Sequence, residues 1–201
     1  MSTLGKTLAI ASFGVRTALV SSGCAATSGG DVGEVAATDS EESALRVSCT
    51  PSSANGAVAA PHRALLDTIA FTEGTSGRGK DGYNVTFAYH TFSSCASHPD
   101  LTICSGNFCS TAAGRYQILT KTWNRLGFNG FGPANQDRAG MKLVAMRGAN
   151  VPTGRPMTAT EFSNTMDRIS YEWASLPPGR YGQSSYSMAT TRAKYCSFAG
   201  C

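Results

Sequence analysis

Three features that mark common functional classes are missing from this 201-residue sequence: a run of Lys or Arg, a CxxC pair and a GxSxG motif. Without clustered basic residues, and at a net charge of +4, a dedicated nucleic-acid surface is not expected. The missing motifs argue against a thioredoxin-like redox site and against the serine nucleophile of α/β-hydrolases. Beyond the N-terminal segment, no stretch is long and apolar enough to span a membrane. The chain has room for one compact domain and a tail.

Cysteines are plentiful for a chain of this size, and six of them form an even set once Cys24 is set aside: Cys49, Cys95, Cys104, Cys109, Cys196 and Cys201. Such a set favours disulfide bonds formed in an oxidising compartment, although spacing alone does not choose their pairing. Cys95, His98, Cys104 and Cys109 also make a candidate Cys₃His zinc set. They lack the tight C-x₂₋₄-C pair of most zinc fingers, so we expect disulfides and no metal.

The N-terminal segment, residues 1–24, has the order of a signal peptide: Lys6, an apolar run and then small residues. We therefore expect export to the periplasm or the cell exterior. The stretch "VSSGC" is similar to a lipoprotein cleavage site, which makes a lipid anchor on Cys24 the less favoured alternative. Residues 25–60 are rich in Ala, Ser, Gly, Thr and acids, and we predict a disordered linker that Cys49 tethers to a domain at residues 61–201.

Hydrophobic periodicity predicts a mainly helical α+β domain. The predicted helices are "PHRALLDTIAFTEG", "YQILTKTWNRLG", "NQDRAGMKLVAMRGA", "TATEFSNTMDRISYEWASL" and residues 187–195. Leu119 and Met146 are assigned to buried faces. In the fourth helix, Thr158 and Glu161 have the spacing of a capping box, and Pro177 should stop the helix.

The segment between the first two helices is predicted to hold the small β region. Alternation of Val85, Phe87 and Tyr89 indicates a half-buried strand. A polar loop is predicted for residues 93–113, which contain three of the cysteines.

Glu73 stands at the end of the first helix in the stretch "AFTEGTSG". Leu65, Ile69 and Glu73 follow one another at i, i+4 spacing, so the carboxylate continues the apolar stripe. A carboxyl held against apolar surface has a raised pKa, and in its protonated form it can donate a proton to a leaving oxygen. The alternative is a frayed helix end with a solvated Glu73.

Two glycine-containing stretches, "STAAGRYQIL" and "WASLPPGRYGQSSY", each place a Tyr beside a Gln. Tyr116 with Gln117, and Tyr181 with Gln183, would offer ring faces and amides, which suit a neutral sugar that carries an N-acetyl group. Taken alone, the first stretch is more typical of an ordinary loop that enters a helix, and the second of a turn-rich linker.

The motifs "EGT", "TAAGRYQIL", "NQD" and "WASLPPGRYGQ", with "GYNV" and "SHP" between the first two, resemble the family of bacteriophage lambda endolysin and its relatives. The resemblance covers about residues 61–194. It implies a lysozyme-like fold and a lytic transglycosylase that cleaves peptidoglycan glycan strands, with no cofactor. We expect a monomer. The cysteines and the N-terminal segment are not part of the family pattern.

The resemblance also implies a mechanism with Glu73 as the only acid and base. Glu73 would protonate the oxygen between N-acetylmuramic acid and N-acetylglucosamine, then take the proton of the C6 hydroxyl as a 1,6-anhydro ring closes. Tyr116, Gln117, Tyr181 and Gln183 are assigned to substrate binding.

Two other functions remain open at this point. A muramidase or chitinase on the same fold would use water and a second carboxylate, for which Asp81 and Asp100 are candidates. A non-catalytic, secreted glycan-binding module would need no acid at all.

Overall fold

The computed structural model describes residues 47–182 and 185–201, so the predicted signal peptide, Cys24 and most of the predicted linker lie outside it. The described residues form five α-helices and one two-stranded antiparallel sheet, which confirms a mainly helical α+β fold. The elements are α1 (Ala60–Thr72), β1 (Ile103–Ser105), β2 (Phe108–Ser110), α2 (Thr120–Leu126), α3 (Pro133–Met146), α4 (Ala159–Ile169) and α5 (Met188–Ala199). None of these helices is long and apolar enough to cross a membrane.

Helix α1 is the centre of the core. Pro61 occupies the first turn, where its missing N–H costs nothing, and Leu65, Leu66 and Ile69 are completely buried. Helices α3 and α5 pack against α1. On α3, Gly140 lies so close that a Cβ would come within 2.7 Å of Leu66 Cδ2. The apolar face predicted for α1 is therefore buried in the core, and Glu73 follows at the end of this helix.

Residues 47–59 belong to the folded domain, although the sequence analysis assigned them to the linker. Cys49 is bonded to Cys95, and the N–H of Cys95 donates to the carbonyl of Val47 at 2.8 Å. A 3-10 helix follows at Pro51–Ala54, and Ala54 is only 3% exposed. The disulfide thus does more than tether a tail, because it anchors a segment that packs on the domain.

Helix α4 confirms the predicted capping box. Thr158 Oγ1 accepts from the N–H of Glu161 at 3.3 Å, while Glu161 Oε2 accepts from the N–H of Thr158 at 2.8 Å. The helix ends at Ile169, earlier than the predicted stop at Pro177. Trp173 lies in the turns that follow and still reaches the core, where its indole N–H donates to the carbonyl of Tyr116 at 2.9 Å.

The strand predicted around Val85, Phe87 and Tyr89 is wrong. Val85 makes only an isolated bridge, and Phe87–Tyr89 form a 3-10 turn in which Ala88 and Tyr89 have φ of 58° and 64°. Left-handed backbone at two consecutive non-glycine residues turns the chain away from an extended path.

Two side chains that were assigned to buried faces are exposed. Leu119 is the N-cap of α2, with extended backbone, and is 46% exposed. Met146 is the last residue of α3 and is 55% exposed. Leu119 thus precedes the helix whose phase was applied to it, whereas Met146 has the predicted helical backbone and is exposed at the end of α3.

The predicted polar loop at residues 93–113 contains the β1–β2 hairpin, in which Cys104 lies opposite Cys109 and is bonded to it. The third disulfide joins Cys196 to Cys201 at the end of α5. The disulfide prediction is therefore confirmed, and all three cysteines of the candidate zinc set are oxidised. His98, the fourth member of that set, donates its Nε2 hydrogen to the carbonyl of Ile118 at 2.9 Å and accepts from the N–H of Asp100 at Nδ1.

Candidate active site

A groove of about 350 Å³ lies at the C-terminal end of α1. It is lined by Thr72, Glu73, Phe87, Ala88, Tyr89, Ser105, Gln117 and Ser175. These residues come from five separate segments: the end of α1, the 3-10 turn, the hairpin, the chain before α2 and the turns after α4. The groove therefore forms only when the fold brings these five segments together.

Glu73 is the first residue beyond α1. Its N–H still donates to the carbonyl of Ile69 at 2.9 Å, so the side chain keeps the helical phase of the Leu65–Ile69 stripe. Gly74 then turns the chain with φ of 71°, and a Cβ there would lie 2.6 Å from the hydroxyl of Tyr89. Glycine is needed at this position both for its backbone conformation and for the close approach of Tyr89.

The carboxyl group of Glu73 receives one hydrogen bond from a side chain. Ser175 Oγ donates to Glu73 Oε1 at 2.5 Å, and the same Oγ lies 3.1 Å from Thr72 Oγ1. Desolvation by the surrounding protein raises the pKa of Glu73 to about 7, while the hydrogen bond from Ser175 acts in the opposite direction. The direction agrees with the raised pKa expected from the helical phase. The partly buried carboxyl, hydrogen-bonded to Ser175, differs from a fully solvated helix end.

Among the described residues, Glu73 is the only acidic side chain that lines the groove. Asp81, one candidate for a second carboxylate, forms an ion pair with Arg115 at 2.6 Å and faces a different cavity. Asp100, the other candidate, is an exposed residue with φ of 50° that does not line the groove either. The geometry thus offers one acid, with no paired carboxylate.

Tyr116, predicted to bind substrate, is buried and does not line the groove. Its side chain is completely buried, and its hydroxyl donates to Asp137 Oδ1 at 2.5 Å. The same oxygen accepts from the hydroxyl of Tyr83 at 2.9 Å, and Arg63 forms an ion pair with Asp137. Tyr116 therefore ties the chain before α2 to α3.

The other predicted binding residues have different positions. Gln117 lines the groove, and its amide hydrogens go to the carbonyls of Gly114 at 2.9 Å and Val85 at 3.2 Å. Within the described chain its Oε1 has no donor, so this oxygen can accept from a ligand. Tyr181 is 56% exposed, is not a groove-lining residue, and donates its hydroxyl hydrogen to the carbonyl of Tyr171 at 3.1 Å. Gln183 lies outside the described residues.

Sequence reasoning missed Ser175 and misassigned Tyr89. Ser175 stands inside the "WASLPPGRYGQ" motif, so the motif contained the signal without indicating a role. Tyr89 was placed on a strand, and no glycine marks the left-handed turn that brings it to Gly74. Only the fold brings Ser175 to Glu73, across 102 residues of sequence.

Comparisons with known proteins show which family the sequence matches. The endolysin family model matches residues 63–201. The endolysin of Escherichia phage lambda is 34% identical over 142 residues, which are 66% of this chain and 87% of the phage protein. The endolysin of Escherichia phage P2 is 30% identical over 145 residues, which are 62% of this chain and 84% of the phage protein.

Solved structures give the same result for the fold. Bacteriophage lambda lysozyme complexed with a chitohexasaccharide has a TM-score of 0.64 and 30% identity, and the match covers 70% of this chain and 95% of the lysozyme. A second structure of lysozyme from bacteriophage lambda has a TM-score of 0.59 and 27% identity over the same shares. The predicted lysozyme-like fold is confirmed, and the chain belongs to the endolysin family.

Proposed function

We propose that the protein is a lytic transglycosylase that cleaves the β-1,4 bond between N-acetylmuramic acid and N-acetylglucosamine in peptidoglycan. The observation that carries the proposal is a groove with one protonatable carboxyl and, among its described lining residues, no second acid. Membership of the endolysin family and likeness to a lysozyme complexed with a chitohexasaccharide support a peptidoglycan-cleaving glycosidase.

The first half of the reaction uses Glu73 as an acid. Because burial raises the pKa of Glu73 to about 7, the carboxyl is protonated in mildly acidic solution. The O–H bond of Glu73 breaks as its proton moves to the glycosidic oxygen, and the bond from that oxygen to C1 of the muramoyl ring breaks. The N-acetylglucosamine part leaves with the proton as its 4-hydroxyl group. Such positioned proton transfer contributes about 10² to 10⁴-fold in rate.

The second half uses the same group as a base. The Glu73 carboxylate takes the proton of the C6 hydroxyl, and O6 bonds to C1 to close the 1,6-anhydro ring. Glu73 is then protonated again, and no water is consumed. A hydrolase would instead need a second carboxylate at about 5 to 9.5 Å, as a nucleophile or to activate water. A single acid in the groove is sufficient for the transglycosylase reaction and insufficient for that hydrolytic scheme.

Substrate binding is assigned to the groove wall. The exposed ring of Tyr89 offers a face for a sugar, and the free Oε1 of Gln117 can accept from an N–H or hydroxyl of the glycan. Tyr89 takes the place that the sequence analysis gave to Tyr116. Tyr181, which does not line the groove, and Gln183 remain proposed binding residues for the glycan.

The test of the acid is Glu73→Gln, which keeps the shape of the side chain and removes its proton chemistry. We expect cleavage of purified peptidoglycan to fall at least about 100-fold, with binding to the polymer retained. Asp100→Asn is the matched control, because it neutralises an exposed carboxylate outside the groove at a left-handed position that Asn tolerates. Full cleavage activity in Glu73→Gln would mean that the acid lies elsewhere, whereas no cleavage by the wild-type protein would favour the non-catalytic glycan-binding module.

We also propose that the protein acts as a monomer after export to the periplasm or the cell exterior. Three disulfides support this compartment, because such bonds persist where the surroundings are oxidising. Cell fractionation combined with thiol titration tests the proposed compartment. Reactive thiols at the six paired cysteines in protein isolated from cells would contradict it.

A further inference from the structure

Ser175 lies between two acceptors at the floor of the groove. Its Oγ is 2.5 Å from Glu73 Oε1 and 3.1 Å from Thr72 Oγ1. A serine hydroxyl carries one hydrogen, so it can donate to only one of these two oxygens at a time. The arrangement therefore has two hydrogen-bonding states that differ by a rotation of one hydroxyl.

Thr72 is arranged to accept. Its own hydroxyl hydrogen goes to the carbonyl of Ile69 at 2.9 Å, which leaves the lone pairs of Oγ1 for Ser175. Thr72 is buried, so water does not compete freely for this oxygen. Ser175 thus has a second partner whose availability does not depend on the protonation of Glu73.

The two oxygens of Glu73 are not equivalent. Oε1 accepts from Ser175, whereas Oε2 has no hydrogen-bond donor among the described residues, and the side chain lines the groove. Oε2 is therefore the oxygen left to exchange a proton with substrate. A proton on Oε1 would compete with the Ser175 hydrogen for the same short contact.

We propose that Ser175 is a positioning residue whose hydroxyl switches between Thr72 and Glu73 as Glu73 loses and regains its proton at Oε2. The proposal rests on the proposed function of Glu73 as the acid and base. With Glu73 protonated at Oε2, Oε1 is a neutral carbonyl oxygen and Ser175 donates to Thr72. The 2.5 Å contact between Ser175 Oγ and Oε1 lengthens in this state, because no hydrogen then lies between the two oxygens.

Once the Oε2 proton has moved to the glycosidic oxygen, the carboxylate is the stronger acceptor and Ser175 donates to Oε1. When the C6 hydroxyl returns a proton to Oε2, Ser175 turns back to Thr72. Ser175 gives up no proton of its own in either step, and a hydroxyl rotates far faster than bonds are cleaved.

The described surroundings offer no cation in place of Ser175. Arg78, on the loop that follows Glu73, donates its Nε hydrogen to the carbonyl of Gly74 at 2.7 Å and lies over the ring of Tyr89. Among the described residues that line the groove, Tyr89 is the only other one with a titratable side chain. Ser175 is therefore the only described side chain that donates to the Glu73 carboxyl.

The switch predicts that removing the Ser175 hydroxyl and removing the Thr72 hydroxyl shift the pKa of Glu73 in opposite directions. Activity requires protonated Glu73, so the wild-type rate should fall as the pH rises through about 7. Ser175→Ala removes the donor to the carboxylate. The pH at which the rate falls should therefore rise by about one unit, while kcat drops about 10- to 100-fold. Thr72→Val removes the acceptor that Ser175 uses when Glu73 is protonated. The pH at which the rate falls should therefore decrease by several tenths of a unit. Ser175→Thr keeps the hydroxyl and should restore the wild-type position.

The same shifts can be read without an activity assay. Carbon-13 NMR of the glutamate carboxyl groups, with Glu73→Gln used to assign the signal, gives the pKa of Glu73 in each folded variant. Opposite shifts in Ser175→Ala and Thr72→Val support the switch, whereas equal shifts or none would overturn it. If Ser175→Ala does not fold, Thr72→Val alone tests the switch. An unchanged pKa of Glu73 in Thr72→Val would refute donation from Ser175 to Thr72. Failure of the proposed function would appear separately, in the chemical nature of the cleavage products.

Discussion

At the residue scale, the environment of Glu73 supports its proposed double role as acid and base. Desolvation favours the neutral acid, and the hydrogen bond from Ser175 favours the anion that forms after proton transfer. Because these influences oppose one another, the pKa of Glu73 reaches about 7 and no higher. A group with this pKa can both lose and regain a proton in neutral solution.

The raised pKa of Glu73 predicts a pH-dependent cost in stability. In the unfolded chain the pKa returns to about 4.3, so the folded state binds the proton more tightly. The stability that this proton contributes is complete below about pH 4.3 and is lost as the pH rises through about 7. Glu73→Gln should therefore be more stable than wild type by about 1 to 3 kcal/mol at pH 8, with a much smaller difference at pH 4.5. Chemical unfolding at both pH values measures this, and a difference independent of pH would refute it.

Gly114 is a second residue for which the structure makes a sharp prediction. Its φ is 78°, and a Cβ would lie 2.8 Å from Phe131 Cζ and from Cδ of the buried Gln136. Gln136 Oε1 accepts from the N–H of Arg115 at 2.9 Å, so it cannot move without losing a buried hydrogen bond. Gly114→Ala should lower the free energy of unfolding by about 3 kcal/mol or more.

The matched control for Gly114 is Gly154→Ala. Gly154 is exposed, its φ is not positive, and its added Cβ would meet no atom within 4 Å. Thermal unfolding of the two variants should separate them clearly. Equal melting temperatures would contradict the close packing described around Gly114.

At the element scale, the helices could be predicted because their signals are local. The i, i+4 stripe of α1 and the capping box of α4 are written in adjacent residues, and both are present. The 3-10 turn at Phe87–Tyr89 could not be predicted, because its left-handed residues are not glycines and the approach of Tyr89 to Gly74 joins residues distant in sequence. The burial of Tyr116 depends on Asp137, a partner from another helix that the "GRYQ" motif does not reveal.

The disulfides join cysteines that are separated by very different lengths of chain, so their contributions to stability should differ. The Cys49–Cys95 bond spans 46 residues, whereas Cys104–Cys109 spans five within one hairpin. By loop-closure entropy, removing the first should cost about 4 kcal/mol of unfolding free energy, and removing the second about 2 kcal/mol. Urea unfolding of the paired Cys→Ala variants measures both. A larger loss from the Cys104–Cys109 pair would contradict this account.

At the scale of the whole molecule, a lysozyme-like domain is combined with a segment and three bonds that the family motifs do not include. The family match begins at residue 63, yet residues 47–59 pack on the domain through Cys49. One of the bonds closes the hairpin that carries Ser105 to the groove. The sequence motifs could predict the family. They could not predict which cysteines are paired, because spacing does not determine cysteine pairing.

The most direct test of the account is mass spectrometry of peptidoglycan digested by the wild-type protein, Asp100→Asn and Glu73→Gln. A single carboxyl that serves as acid and base predicts muropeptides that end in 1,6-anhydro-N-acetylmuramic acid from the first two proteins and almost none from Glu73→Gln. Reducing N-acetylmuramic acid ends without anhydro ends would contradict it, because such products require water and a second catalytic group.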